Sequence, residues 1–177
     1  MNLRSSNDGV TLIELILAMV LVGAIIMTGL SMELGLRRIY SSTDFEVHLL
    51  DEAAPIMAMV TKDINRGVGA VATAQSPFSG TYRIYYDSNF NGMRDAADTA
   101  VEYQYNSATY NLNYRRTLSG PWQLLSDKVT SFSIAAPVNG VSTFSISLKR
   151  SPSLGTGYTN PQIAVTSSAQ YRGYSIN

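Results

Sequence analysis

The longest apolar stretch of the chain lies near its start, in the segment DGVTLIELILAMVLVGAIIMTGL. From Val10 to Leu30 it has 21 residues, of which Glu14 alone is charged. As a helix these residues rise about 31 Å, which matches the roughly 30 Å hydrocarbon core of a bilayer. A helix also satisfies its own backbone hydrogen bonds, as lipid requires. The pattern therefore predicts a membrane-spanning helix over residues 10–30.

Two other kinds of segment are also apolar. A buried core helix rarely stays apolar on all sides over this length. A cleavable secretory signal has an apolar region of about 7–15 residues, followed by a small-residue cleavage site. Here the run is longer, and the candidate cleavage residue, Gly9, precedes it. Both alternatives fit the sequence less well than a membrane span.

After the span the spacing becomes that of an amphipathic helix. The segment TDFE from Thr43 matches a capping box, which predicts that the helix restarts there. Pro55 is expected to bend this helix, and the glycines of NRGVGA are expected to end it. We assign residues 31–69 to this continuation of the helix. One apolar residue recurs every three or four positions along it, as on one helix face: Phe45, Leu49, Ala53, Ile56, Val60 and Ile64.

Beyond residue 80 the pattern changes to short runs rich in β-branched and aromatic residues, separated by Gly, Pro, Asn or Ser. Six such runs are TYRIYYD, AVEYQYN, TYNLNYRRT, VTSFSIAAP, VSTFSISLKR and QIAVTSSAQY. Strands that follow one long helix predict an α+β fold, with the helix packed on an antiparallel sheet, and a β-rich head over residues 70–177. Seven of the 11 tyrosines lie between Tyr82 and Tyr114, where we expect cross-strand packing. An exposed tyrosine patch for adhesion is the alternative.

Composition narrows the classes of function. The formal net charge is zero, so the chain has no general attraction to nucleic acid or acidic surfaces. The absence of cysteine excludes disulfides, thiolate metal sites and cysteine nucleophiles. The one histidine, His48, cannot form a multi-histidine metal site, and no serine stands in a recognisable nucleophile setting. We therefore expect no enzyme. The pairs Arg115–Arg116 and Lys149–Arg150 could meet DNA phosphates, but charges at solvated strand edges explain them better, so DNA is not an expected partner.

The carboxylate of Glu14 needs a partner if it enters a membrane, because an unpaired charge there is costly. The apolar run itself supplies no cation. If the chain were cut after Gly9, the new amine of Val10 would lie about one helical turn from Glu14. That amine could pair with Glu14 of the same chain, or with Glu14 of a neighbour shifted by one turn.

The segment GVTLIEL, with a short polar leader over residues 1–9, resembles the type IV prepilin motif, in which a glycine ends the leader and a glutamate lies five residues later. The resemblance implies cleavage by a prepilin peptidase between Gly9 and Val10, and N-methylation of Val10. It also implies that Glu14 pairs with the terminal amine of an adjacent subunit. Val10 replaces the usual Phe or Met, and Asp8 stands where a basic residue is common.

Three further segments resemble PilW-type minor pilins and J-type pseudopilins of type II secretion: APIMAMVTKDINRGVGAV, LLSDKVTSFSI and VSTFSISLKR. The implied function is a minor type IV pilin that assembles into a pilus or primes or caps it. Its implied partners are other pilin subunits, the prepilin peptidase, the inner-membrane assembly platform and, before assembly, the bilayer. It would lie in the bacterial inner membrane with its head in the periplasm, and then in a pilus or pseudopilus. The alternatives are a type II secretion pseudopilin and an uncleaved, membrane-anchored periplasmic calcium-binding module.

The segment DSNFNGMRDAAD matches the pattern D-x-[DN]-x-[DN]-G followed by five residues and an acid. Calcium takes six to eight oxygen ligands. The candidates are the side chains of Asp87, Asn89, Asn91, Asp95 and Asp98 and the carbonyl of Met93. Asp98 replaces the usual bidentate Glu, and strands replace the flanking helices of an EF-hand. The sequence thus predicts a Ca²⁺ loop in a strand connection, with an Asn-Gly hairpin turn as the alternative.

Overall fold

A computed structural model describes residues 10–76, 79–88, 98–157 and 160–172. They form one helix, α1 (Leu12–Arg66), and eight strands: β1 (Gly67–Ser76), β2 (Ser79–Tyr86), β3 (Thr99–Asn106), β4 (Asn111–Arg115), β5 (Gln123–Ser126), β6 (Val129–Ile134), β7 (Val141–Lys149) and β8 (Gln162–Gln170). The layout is α+β, as the sequence predicts. The chain divides into an N-terminal unit that ends at Ser41 and a C-terminal unit that begins at Ser42.

The N-terminal unit is helical from Leu12 onward. Two of its hydroxyl groups bond within the helix, since Thr28 donates to the carbonyl of Ala24 and Ser31 donates to that of Met27, each at 2.8 Å. Such bonds to the carbonyl of the preceding turn satisfy the hydroxyls of Thr28 and Ser31 inside the helix. These two polar side chains therefore fit within the apolar run, because each has its partner in the helix itself.

In the C-terminal unit the predicted stripe is confirmed. Five of its members are buried, and Phe45 is half-buried. The helix runs without a break through Thr43, so the prediction of a restart there is wrong: the TDFE segment lies inside a turn that is already formed. Pro55 also lies within the helix. The helix ends at Arg66, inside the NRGVGA segment, as expected.

The strands form two antiparallel sheets. The first has the order β1-β2-β3-β4-β5 and the second the order β6-β7-β8, so within each sheet consecutive strands of the chain pair with each other. Six of these strands match the predicted runs, whereas β1 and β5 have no counterpart among them. Gly and Ala dominate the sequence of β1, and β5 has four residues, so neither carries a strong strand pattern.

One hydrophobic core joins the helix to both sheets. Tyr82 shows how the sheets meet: its ring contacts Phe132 edge-on, with centroids 5.5 Å apart, and its hydroxyl donates to the Phe132 carbonyl at 3.2 Å. The expected cross-strand packing of tyrosines is present between β3 and β4. Tyr103 lies 5.2 Å from Tyr114, its partner on β4. The core lies wholly in the C-terminal unit, which therefore has its own basis for stability.

Candidate functional site

The candidate site at the start of α1 is built around Glu14. Thr11 immediately precedes the helix, in the N-cap position, and Glu14 is the third helical residue. The Glu14 Oε2 atom accepts hydrogen bonds from the backbone N–H and the hydroxyl of Thr11, each at 2.8 Å. The Glu14 amide in turn donates to the Thr11 hydroxyl at 3.3 Å. These reciprocal bonds form a capping box, which sequence reasoning missed although the signal T-x-x-E was present.

The capping box gives Glu14 a partner inside its own chain. Both bonds end on Oε2, and Oε1 accepts none within the part of the chain that the structure describes. The side chain is also exposed. One oxygen therefore fixes the side chain near the helix start, and the other stays available for a donor from outside the chain. Gly9, the other half of the predicted cleavage site, lies outside the described residues, while Val10 is described and exposed.

An exposed apolar surface follows directly from this helix start. Every large apolar side chain from Val10 to Tyr40 is at least 42 % exposed. The helix is long and apolar enough to cross a membrane. Exposure of this surface to water is unfavourable in free energy, because burial of apolar area is the dominant favourable term in folding and association. Something other than the C-terminal unit's own core must therefore cover these side chains.

The candidate calcium loop is described only at its two ends. Asn89, Asn91, Met93 and Asp95 lie outside the described residues, whereas Asp87 and Asp98 lie within them. The ends are held together where β2 meets β3: Ser88 donates its backbone N–H to Asp98 Oδ1 at 3.1 Å, and its hydroxyl accepts from the Thr99 backbone at 3.0 Å. No group of three or more acidic or histidine side chains gathers among the described residues.

A buried carboxylate, Asp63, ties the helix to the first sheet. It is 5 % exposed and accepts hydrogen bonds from Tyr86 at 2.7 Å and Tyr103 at 2.6 Å. Burial, together with the nearby carboxylate, raises the pKa of both phenols well above the ordinary value. The hydroxyls therefore stay protonated as donors at neutral pH, and Asp63 is fully engaged in the structure.

A second buried carboxylate, Glu102, lies on the opposite face of the first sheet. It is the direct cross-strand partner of Arg83 on β2 and Arg115 on β4, and both guanidinium groups bind it. Arg115 also stacks over Trp122, 4.5 Å from the ring centroid. Cross-strand register thus forms an Arg–Glu–Arg ladder, which shields a charge that would otherwise be costly to bury.

The other residues singled out in the sequence are placed as follows. His48 is exposed, with Asp44 one turn earlier at 3.8 Å. Lys149 is buried and donates to the carbonyl of Leu154, and Arg150 stacks on Phe45 at 3.6 Å. The side chains that could have met DNA phosphates are thus largely engaged in contacts within the chain.

Comparison with protein-family models, with curated proteins and with solved structures gave no match.

Proposed function

We propose that this chain is a minor type IV pilin, a structural subunit that is cut between Gly9 and Val10 and then assembled through its N-terminal helix. The observation that carries the proposal is the exposed apolar surface of residues 10–30, where Glu14 is the one charged residue and every large apolar side chain is at least 52 % exposed. Two environments suit such a surface: a bilayer before assembly, and the packed helices of a filament core afterwards.

The proposed mechanism is a change of surroundings for one helix. In the membrane, lipid covers the apolar side chains. In the filament, helices of neighbouring subunits cover them, and the free Oε1 of Glu14 accepts from the Val10 amine of a neighbour. The C-terminal unit keeps its own core in both states, so assembly need not rearrange it. Its surface would then face outward along the filament or at the tip.

A type II secretion pseudopilin would use the same chemistry, and the identity of the neighbouring genes distinguishes the two machines. The capping box favours a second candidate of another class, an uncleaved anchored periplasmic module. In that case Glu14 would need no amine, because Thr11 already supplies its donors. Residues 1–9 would remain attached, and the protein would be absent from filaments.

Mass spectrometry of the N-terminal peptide, from sheared filaments and from membranes of the native cells, tests the proposal. We expect a peptide that begins at methylated Val10 in the filament fraction. Its abundance there would separate a minor from a major subunit. An intact Met1 peptide found in membranes alone would reject the pilin proposal in favour of the anchored module.

A substitution at Glu14 separates its two possible roles. Glutamine also serves in a capping box, so Glu14→Gln keeps the helix cap but removes the charge. If the carboxylate pairs with a neighbour's amine, this variant should insert into membranes and be cut, yet fail to enter filaments. The matched control is Thr11→Ala, which removes the capping hydroxyl and keeps the charge; it should still enter filaments. Normal assembly of Glu14→Gln would show that the cap is the whole role of Glu14.

We also propose that the 87–98 loop binds Ca²⁺. The support is the ligand spacing in the sequence, together with the hydrogen bonds that hold the two ends of the loop at one place. Because the two ends are already held together, the segment between them would lose less entropy on closing around a cation. Bound calcium would stabilise the connection between β2 and β3.

A further inference from the structure

Among the described residues, the outer edge of β8 is open along Gln162–Gln170, and two residues later the backbone N–H of Arg172 donates to the carbonyl of Gly67 at the start of β1. In the second sheet β8 pairs with β7 on one side only, over nine consecutive residues and without a register shift. No other hydrogen bond involves Gln162–Gln170 among the described residues. Alternate residues of an edge strand direct their N–H and C=O groups away from the sheet. A nine-residue strand therefore offers about eight to ten unpaired backbone groups to solvent.

The other strands at sheet edges are protected. β1 has two register shifts, which bend an edge, and β5 has four residues. The free edge of β6 is covered by the first sheet, since the carbonyls of Thr130 and Phe132 accept from the hydroxyls of Tyr105 and Tyr82. Only β8, of the strands described, combines length, regularity and an open side.

The sequence of β8, QIAVTSSAQ, lacks the usual devices that prevent edge pairing. It contains no charged residue and no proline; the nearest proline, Pro161, precedes the strand. Two apolar side chains on its core-facing side, Ile163 and Val165, pack against the core but stay half-buried. A further strand beside β8 would cover their remaining exposed area, which is favourable.

We infer that β8 is an interaction surface for a second copy of this chain, through antiparallel pairing of β8 with β8 about a two-fold axis at Thr166. In this register Gln162 faces Gln170, Ile163 faces Ala169, Ala164 faces Ser168 and Val165 faces Ser167. Opposed residues then lie on the same side of the combined sheet, as antiparallel pairing requires. Because β8 is uncharged, self-pairing meets no like-charge repulsion, whereas a strongly charged partner strand would find no complementary charge.

Self-pairing would join the two three-stranded sheets into one of six strands, in the order β6-β7-β8-β8-β7-β6. The contact is limited to strand edges, so it is weak between molecules free in solution. It gains from any arrangement that confines the chains, because confinement raises the effective concentration to the millimolar range. The inference uses the C-terminal unit alone and does not depend on the proposed function.

The absence of cysteine allows a direct test by cross-linking, because a single introduced cysteine can pair only with its copy in another chain. In the proposed register Thr166 faces itself, with Cα atoms about 4.5–5.5 Å apart, within the range of a disulfide. Full-length Thr166→Cys protein in membranes, treated with a mild oxidant, should form covalent dimers. Ser168→Cys is the matched control on the same strand and the same exposed face. Its two copies would lie four residues apart, about 13 Å, too far for a disulfide.

A second measurement checks the register. Chains carrying Ala164→Cys, mixed with chains carrying Ser168→Cys, should cross-link to each other, although each alone should not. We expect Thr166→Cys to cross-link at least about tenfold faster than Ser168→Cys. Equal rates for both would mean random collisions and would overturn the inference. A Thr166→Cys protein that keeps its native fold by circular dichroism and stays monomeric would also overturn it, leaving β8 to another partner or to none.

Discussion

The Asp63→Ala substitution tests whether a buried carboxylate joins the helix to the first sheet. It would leave two phenol hydroxyls, those of Tyr86 and Tyr103, without their acceptor inside the protein. A buried polar group that loses its partner costs about 1–3 kcal/mol. Two such groups cost about 2–6 kcal/mol, and removal of the desolvated carboxylate offsets part of this. We therefore expect a loss of about 2–4 kcal/mol, a large share of the roughly 5–15 kcal/mol that stabilises a typical domain.

Two further variants show whether the hydrogen bonds, rather than the cavity, cause the loss. Asp63→Asn keeps one acceptor oxygen and adds an amide N–H that can donate to a tyrosine oxygen. It should therefore lower the free energy of unfolding less than the alanine variant does. Tyr103→Phe removes one donor and should cost about 1 kcal/mol in the native background. In the Asp63→Ala background the same change removes an unpartnered hydroxyl, so it should cost nothing or stabilise the protein.

The assay is urea unfolding of the full chain in detergent micelles, followed by tryptophan fluorescence. The single tryptophan, Trp122, lies next to β5 in the C-terminal unit, so its signal reports that unit. The double-mutant cycle isolates the Asp63–Tyr103 coupling. A loss below about 0.5 kcal/mol for Asp63→Ala, with no coupling to Tyr103, would refute the argument, because it would mean that water replaces the carboxylate at no cost.

Three further predictions concern the C-terminal unit. Gly67→Ala should lower stability by about 1–3 kcal/mol in urea titrations, because its Cβ would lie 2.8 Å from Ile84 Cγ2; an unchanged midpoint would contradict this. Burial raises the pKa of Tyr171 to about 12, and that of Tyr103 is raised as well. Because the fold favours the neutral phenols, their contribution to stability should be constant below pH 10. Above pH 10 it should fall by about 1.4 kcal/mol per pH unit for each phenol. An unchanged urea midpoint from pH 9 to 11 would contradict this. Calcium at tenfold its Kd should add about 1.4 kcal/mol and raise Tm, and Asp98→Ala should abolish the rise; no calcium effect on the native chain would reject the loop as a site.

The spacing of apolar residues predicted which side chains share one face of a helix or strand, because that depends only on residues close in sequence. The stripe from Leu49 to Ile64 is buried because residues three and four apart share a helix face, whatever packs against it. The alternation of side chains along a strand likewise places Val101, Tyr103 and Tyr105 on one face of β3, and all three are buried. Long-range pairing carries no such signal, so the division of the strands between two sheets could not be read from the sequence.

The buried acids show where local patterns give no information. Asp63 precedes Ile64 of the apolar stripe, and Glu102 alternates with apolar residues on β3, so both read as solvent-facing positions. Each is buried because of residues distant in sequence. Asp63 meets tyrosines 23 and 40 positions away, and Glu102 meets arginines 19 and 13 positions away. Only the cross-strand register brings those partners together.

Glu14 at the start of the helix has two possible roles, as a helix cap and as a partner for an amine, and the observed geometry allows both. In the proposed assembly, the charge of Glu14 is paired with an amine of another subunit. In the capping box, the same carboxylate accepts hydrogen bonds from Thr11 of its own chain. Both hydrogen bonds from Thr11 end on Oε2, so among the described residues the cap holds the side chain without using Oε1. A cap of this kind would reduce the entropy that Glu14 loses when a neighbour's amine arrives, and so would strengthen that pairing. The cap and the proposed assembly contact are therefore better understood as successive uses of one carboxylate than as competing ones.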